Sequence, residues 1–215
     1  DISKAIRWTI DHVDHYGGDP RNITLMGQSA GAHISSIALF EAAEQEARGD
    51  RSEFSPKSLA RWVGISGPYD ITALIPEMHR RGLHRRILRR VFQGGNTANH
   101  SAVHRIHTMG KEALALLPPL ALFHGTADRT CPSSQTLGLA AAIEARGLKL
   151  QQVKLYEGKS HTDPILEDPA AGSDPLMIDL LGLIYPVSDP DTKPVILPPM
   201  LPAWQVRLAR WLNPF

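Results

Sequence analysis

The run GQSAG, residues 27 to 31, constrains this chain more than any other stretch. A serine with glycine at both second neighbours fits G-x-S-x-G, the pattern of a sharp strand-to-helix turn that strains the serine backbone and exposes its hydroxyl. Residues two before and two after the serine must be small for such a turn to close. The context fits. Ile23 to Met26 is a short apolar run that reads as a buried strand, and Ala30 to Ala47 is an Ala- and Glu-rich stretch that reads as a helix stopped near Gly49. Ser29 is therefore the candidate nucleophile. The plain alternative is a glycine-flanked serine that only caps a helix.

A nucleophile needs a base and an acid, and the remaining periodicity says where to look. Ile2, Ile6, Ile10 and Val13 stand at helical spacing over residues 2 to 16, ended by Gly17-Gly18-Asp19-Pro20. Trp62 to Ser66, Leu120 to His124 and Val153 to Glu157 read as further strands, the last alternating and so nearer an edge. Ser133 to Ala145 reads as a helix with Gly147 as its C-cap, Asp174 to Tyr185 as a last core helix, and Trp204 to Trp211 as a short amphipathic helix packed on the domain. Strands alternating with helices predict parallel pairing and an α/β domain.

A nucleophile elbow in such a domain predicts the chain order Ser, acid, His, with all three at carboxyl ends of strands. Asp128, in HGTADRT, follows the third strand, and His161, in GKSHTD, follows the fourth. His161 is the candidate base and Asp128 its orienting acid. Asp163 is the rival acid, but it lies two residues from His161 with no strand of its own and reads better as a turn residue bracing the histidine loop. The Ala30 N–H is the candidate oxyanion donor, and Gln28 and Tyr69 are candidate substrate-binding residues.

The second donor of such a site comes from an HGGG-type loop after an earlier strand. No such run occurs in the 215 residues, and four strands would leave the elbow strand as an apolar edge. The chain is therefore expected to be the C-terminal portion of an α/β-hydrolase fold, without the N-terminal strands and oxyanion loop. A start at Asp1 rather than Met is read the same way. Residues 1–185 are expected to form the catalytic domain, with an inserted helical cap at about 67–118. Residues 186–215 are expected to form a Pro-rich tail and short helix. Within the insertion, HRRGLHRRILRR (79–90) carries six arginines. It reads as a solvated helix face with Leu83, Ile87, Leu88, Val91 and Phe92 turned inward, or as a basic face for anionic lipid or an acidic peptide.

Composition excludes several classes. Lys and Arg total 23 against 22 Asp and Glu, so no nucleic-acid binder is indicated. Cys131 is the only cysteine, which removes disulfide and zinc–cysteine frameworks; it reads as a buried small residue. His100, His104 and His107 share a helical spacing without a carboxylate or thiol to complete a metal site, so no metal or cofactor is expected. His33 reads as packed or hydrogen-bonded behind the elbow. No apolar run is long enough to span a bilayer.

Six motifs together carry a resemblance: YGGDP (16–20), LMGQSAGAH (25–33), SGPYD (66–70), RGLHRRI (81–87), LLPPLALFHGTAD (116–128) and KSHTDPILEDP (159–169), with RLARWLNPF at the close. The chain resembles the isoprenylcysteine α-carboxyl methylesterases, in the carboxylesterase branch of the α/β hydrolases. The resemblance implies a triad of Ser29, Asp128 and His161 and, as substrate, a prenylated cysteine methyl ester. It also implies an endomembrane location (endoplasmic reticulum or Golgi) with the catalytic domain in the cytosol and a possible membrane-surface contact. The alternatives are the same chemistry on a small ester or an amide such as formylkynurenine, and a hydrolase-like binding module without catalysis.

Overall fold

The computed structural model describes residues 1–82, 84–92, 96–185 and 198–213. Four strands form one parallel sheet in the order β1-β2-β3-β4: β1 (Thr24–Gln28), β2 (Arg61–Ile65), β3 (Leu120–Gly125) and β4 (Gln152–Tyr156). The register pairs Gln28 with Ile65, Ile65 with Phe123, and Phe123 with Lys154, so the carboxyl ends of β1 to β3 and the loops beyond them lie along one edge. Each expected strand is present, displaced by at most one residue at either end except β1, which runs two residues further, to Gln28. β2 and β3 are almost wholly buried, while β1 and β4 are partly exposed edge strands.

Parallel strands joined by helical crossovers need cover on both faces. One face carries the larger core. Leu39, Phe40 and Ala43 of α2 (Ala30–Ala47) and Leu139 and Ile143 of α7 (Ser134–Ala145) pack there with Trp62, Leu120 and Leu122. The Trp62 indole N–H donates to Ser35 Oγ at 3.0 Å, so its one polar atom is satisfied inside that core. The opposite face is covered by α9 (Pro175–Ile184), whose Leu176, Leu180 and Leu183 meet Val63, Ile65, Ala121 and Phe123. Met26, on the β1 edge, stays 49 % exposed. α7 closes as expected, with Gly147 left-handed at φ 76°.

The first helix, α1 (Ile2–His12), gives way to a 3₁₀ turn over Val13–Tyr16 before Gly17 at φ 81°. The insertion differs more from its expected form. Its described residues form four helices, α3 (Ile71–Arg80), α4 (Arg85–Val91), α5 (Ala102–Thr108) and α6 (Lys111–Leu114). Only its first part stands apart, with Ile71 and Phe92 forming a small cluster flanked by Ile75 and Met78. Ala102, Ile106, Met109, Ala113 and Leu114 belong to the main core, because α5 packs against α2 and α7. The expected inward face of residues 79–90 is also corrected. Gly82 at φ 91° separates α3 from α4, and Ile87 and Val91 are 50 % and 63 % exposed, leaving Phe92 buried. Leu83 and the Leu88 side chain lie outside the described residues. So does most of the proline-rich stretch, 186–197.

Short helix α8 (Glu167–Ala170) and the last helix, α10 (Ala203–Leu212), contact each other. Val206 of α10 is buried, whereas Trp204, Leu208, Trp211 and Leu212 share its outward side. No described helix is long and apolar enough to cross a membrane.

Candidate active site

Ser29 follows β1 directly and precedes α2, with φ 55° and ψ −123°. A non-glycine residue in this region is held there against its preference, at a cost of about 1–3 kcal/mol. Its N–H donates to the Ile65 carbonyl at 2.8 Å, which extends the β1–β2 ladder through the turn. Gly27 makes the turn possible. A Cβ there would lie 2.4 Å from the Gly31 backbone. Gly31 differs from its expected role, since a Cβ at that position would meet nothing within 4 Å. Gly27→Ala is therefore expected to lower stability by about 1–3 kcal/mol through overpacking. Gly31→Ala should leave the thermal midpoint unchanged or raised, as alanine is the better helix former. Thermal denaturation of both variants checks the ranking.

The sheet edge brings three of the expected residues together. His161 Nε2 lies 2.9 Å from Ser29 Oγ, and His161 Nδ1 lies 2.6 Å from Asp128 Oδ2. An ionised carboxylate only accepts, so Nδ1 carries the proton and the Nε2 lone pair faces the serine hydroxyl. Burial by itself would raise the Asp128 pKa. Hydrogen bonds from His124, His161 and the Cys131 N–H outweigh it and hold the carboxyl well below its ordinary range. Asp128 Oδ1 accepts from the N–H groups of Thr130 and Cys131, both at 2.8 Å. The arrangement can accept a proton from Ser29 at Nε2 and stabilise the resulting imidazolium against Asp128.

Asp163 points elsewhere. Its Oδ2 accepts from the Ser160 N–H at 2.8 Å and its Oδ1 from Arg210 Nε at 2.6 Å. Gln28 reaches the histidine, with its Nε2 3.3 Å from His161 Nε2 and 3.4 Å from the His161 carbonyl. Tyr69 does not line an open site. Its ring is 0 % exposed and sits edge-on to Trp62 at 6.1 Å. Ala30 is the first residue of α2, so its N–H lies in the helix N-terminal turn beside Ser29.

His33 is held behind the elbow, as expected. His33 Nε2 meets the His100 carbonyl at 2.6 Å. His100 itself precedes α5, so the three-histidine face expected from spacing does not form. Among the described residues, no group of three or more His, Cys, Asp or Glu is placed to hold a metal ion. Cys131 is 3 % exposed, and burial followed by the nearby Asp128 charge pushes its thiol pKa up, away from thiolate chemistry.

Sequence reasoning missed His124. It is 0 % exposed, with Nε2 3.1 Å from Asp128 Oδ2 and 2.8 Å from the Cys131 carbonyl, and Nδ1 2.7 Å from Thr136 Oγ1. Both Nε2 partners are acceptors, so Nε2 carries its proton and the Thr136 hydroxyl donates to Nδ1. His124 thus shares the oxygen that orients His161. The available signal was a lone polar residue closing the apolar strand LALF, four positions before Asp128.

A parallel sheet with an elbow serine, a histidine and an aspartate on its carboxyl edge defines an α/β-hydrolase-like architecture. The chain belongs to the BD-FAE family, whose model matches residues 1–143. It is 37 % identical over its full length to the probable isoprenylcysteine alpha-carbonyl methylesterase ICME of Oryza sativa subsp. japonica, covering 53 % of that protein. It is also 37 % identical over its full length to the isoprenylcysteine alpha-carbonyl methylesterase ICME of Arabidopsis thaliana, covering 52 %. The chain thus spans about half the length of the curated relatives it matches. Among solved structures it is similar to a thermophilic esterase of Thermogutta terrifontis, Est2, in a propionate-bound form. There the TM-score is 0.56 and the identity 25 %, over 87 % of this chain and 65 % of that one.

Proposed function

We propose that this chain carries the nucleophile, base and acid of a serine carboxylester hydrolase that removes the methyl ester from a C-terminal prenylated cysteine. The observation that carries the reading is the unbroken contact from Ser29 Oγ through His161 to Asp128, at 2.9 and 2.6 Å, with the serine at φ 55°. Ser29 Oγ attacks the ester carbonyl carbon while His161 Nε2 takes the hydroxyl proton. The carbonyl oxygen becomes an oxyanion held by backbone donors, Ala30 N–H among them. Collapse breaks the carbon–methoxy bond, and His161 returns the proton to methoxide, releasing methanol. Water, deprotonated by the same imidazole, then cleaves the acyl-enzyme to the free carboxylate and Ser29.

The substrate class is supported by the similarity to the two plant methylesterases. Gln28 is proposed to contact the substrate next to Ser29, and Tyr69 is not, given its burial. The remaining strands and oxyanion donors are proposed to come from outside residues 1–215. The half-length coverage of relatives and the half-exposed Met26 on edge strand β1 support this. Membrane-surface contact is supported by the outward Trp204, Leu208 and Trp211 of α10 and by Ile87 and Val91 among the arginines of α4. An endomembrane site of action is proposed on the family resemblance. The catalytic domain is proposed as 1–185, with 186–215 following it.

A second reading, hydrolysis of short acyl esters, is favoured by the likeness to the propionate-bound esterase. Parallel assays with a prenylcysteine methyl ester and p-nitrophenyl butyrate separate the two. A higher kcat/KM for the prenylated ester is expected. A preference for the butyrate ester would move the substrate to the second reading.

A further inference from the structure

We propose that Arg210, assisted by Asn213, is a positioning residue for His161, so that the C-terminal helix α10 latches the histidine loop in register with Ser29. The proposal rests on the reading of Ser29, His161 and Asp128 as the reacting set. Asp128 fixes the imidazole at Nδ1, but the backbone that carries His161 needs its own restraint. On one side it has the end of β3. The Ala127 N–H donates to the Lys159 carbonyl at 2.9 Å, and Gly125 lets that backbone approach, since a Cβ there would lie 2.2 Å from the Lys159 carbonyl oxygen.

On the other side the restraint runs through carboxylates. Asp163 spans the histidine by accepting from the Ser160 N–H at 2.8 Å, so residues 160 to 163 close as a turn around His161. Arg210 Nε donates to Asp163 Oδ1 at 2.6 Å, and its Nη2 donates to Asp168 Oδ1 at 2.6 Å. Lys159 Nζ also reaches Asp168 Oδ1, at 2.5 Å. The side chains of Asp163 and Asp168 are only 7 % and 1 % exposed, so these carboxylates need cations beside them to stay ionised where they are. Burial would raise the Asp163 pKa, but the Ser160 N–H and Arg210 outweigh it and hold the carboxyl below its ordinary range. Three residues further on, Asn213 Nδ2 donates to Thr162 Oγ1 at 2.6 Å and to Glu167 Oε1 at 2.8 Å. α10 therefore grips the residues on the C-terminal side of His161, Thr162 and Asp163, from a point 47 positions further along the chain.

Without Arg210, Asp163 loses its cation and the turn that fixes the His161 backbone loosens. Displacements of about 1 Å at reacting groups cost up to about 100-fold in rate. Arg210 pairs with Asp163 and Asp168 rather than with Ser29, His161 or Asp128, so its loss should lower kcat and leave KM alone.

The test is steady-state hydrolysis of a p-nitrophenyl ester, with thermal midpoints recorded, for the wild-type protein, Arg210→Gln, Arg210→Lys and Asn213→Ala. Arg210→Gln is expected to lower kcat about tenfold or more with KM changed less than about twofold. Arg210→Lys should recover part of kcat, because an ammonium supplies the charge but cannot bridge both carboxylates as the guanidinium does. Should Arg210→Gln fail to fold, the same split is read in Asn213→Ala, which removes contacts to the loop but no charge. Folded variants with wild-type kcat, or with raised KM and unchanged kcat, overturn the latch. Equal loss in Arg210→Gln and Arg210→Lys that tracks the fall in thermal midpoint also overturns it. Ser29→Ala serves as the reference. If wild-type turnover survives that change, the reacting set is wrong and the latch falls with it. If turnover is Ser29-dependent and the latch variants are unaffected, only the latch falls.

Discussion

Ser29→Ala and His161→Ala are each expected to lower kcat by on the order of 10⁶, and the double variant by no more than either alone. The reason is the shared proton. Ser29 Oγ is a poor nucleophile until Nε2, 2.9 Å away, accepts its hydrogen. A base without its nucleophile, or a nucleophile without its base, leaves only binding and backbone donors to act. Two residues working independently would instead give multiplying losses. Steady-state kinetics of the two single variants and the double variant decide between these. Multiplying losses would place Ser29 and His161 in separate roles.

Asp128→Asn is expected to cost on the order of 10⁴ in kcat with the fold retained at neutral pH. An asparagine that turns its NH₂ toward Nδ1 makes that nitrogen an acceptor, which moves the ring proton to Nε2 and removes the lone pair facing Ser29. Asp163→Asn should cost far less, because Asp163 touches the loop and not the imidazole. The reverse ranking would reassign the acid. The same carboxylate couples stability to pH. The Asp128 pKa is depressed in the fold, so its contribution is complete above the unfolded carboxyl value of about 3.9 and is lost as pH falls through the lower folded value. The difference between the wild-type and Asp128→Asn thermal midpoints should therefore narrow from pH 6 to pH 3. A difference independent of pH would contradict the ionised, hydrogen-bonded state.

What could be read from the sequence was local and periodic. The α2 limits and the Gly147 C-cap follow from composition and glycine chemistry, and strand positions follow from short apolar runs between turn signals. Ser29, Asp128 and His161 could be placed at one edge because parallel strands fix where each carboxyl end lies. Non-local cover could not be read. The side of α4 that holds Ile87 and Val91 has a helical apolar spacing, yet nothing in the described fold covers it. α5 and α6 joined the main core because α2 and α7 present a surface to them, which no spacing within residues 102–114 encodes. The same holds for His124, hidden in an apolar strand, and for Arg210, whose partners lie more than 40 positions back.

The most direct measurement is covalent labelling by a fluorophosphonate, with the modified peptide identified by mass spectrometry. The adduct is expected on the peptide containing Ser29, at one per chain, and absent in Ser29→Ala. Labelling should slow severely in His161→Ala, where the nucleophile remains but its base is gone. An adduct on another residue, or undiminished labelling of Ser29→Ala, would contradict the assignment of Ser29 as the nucleophile.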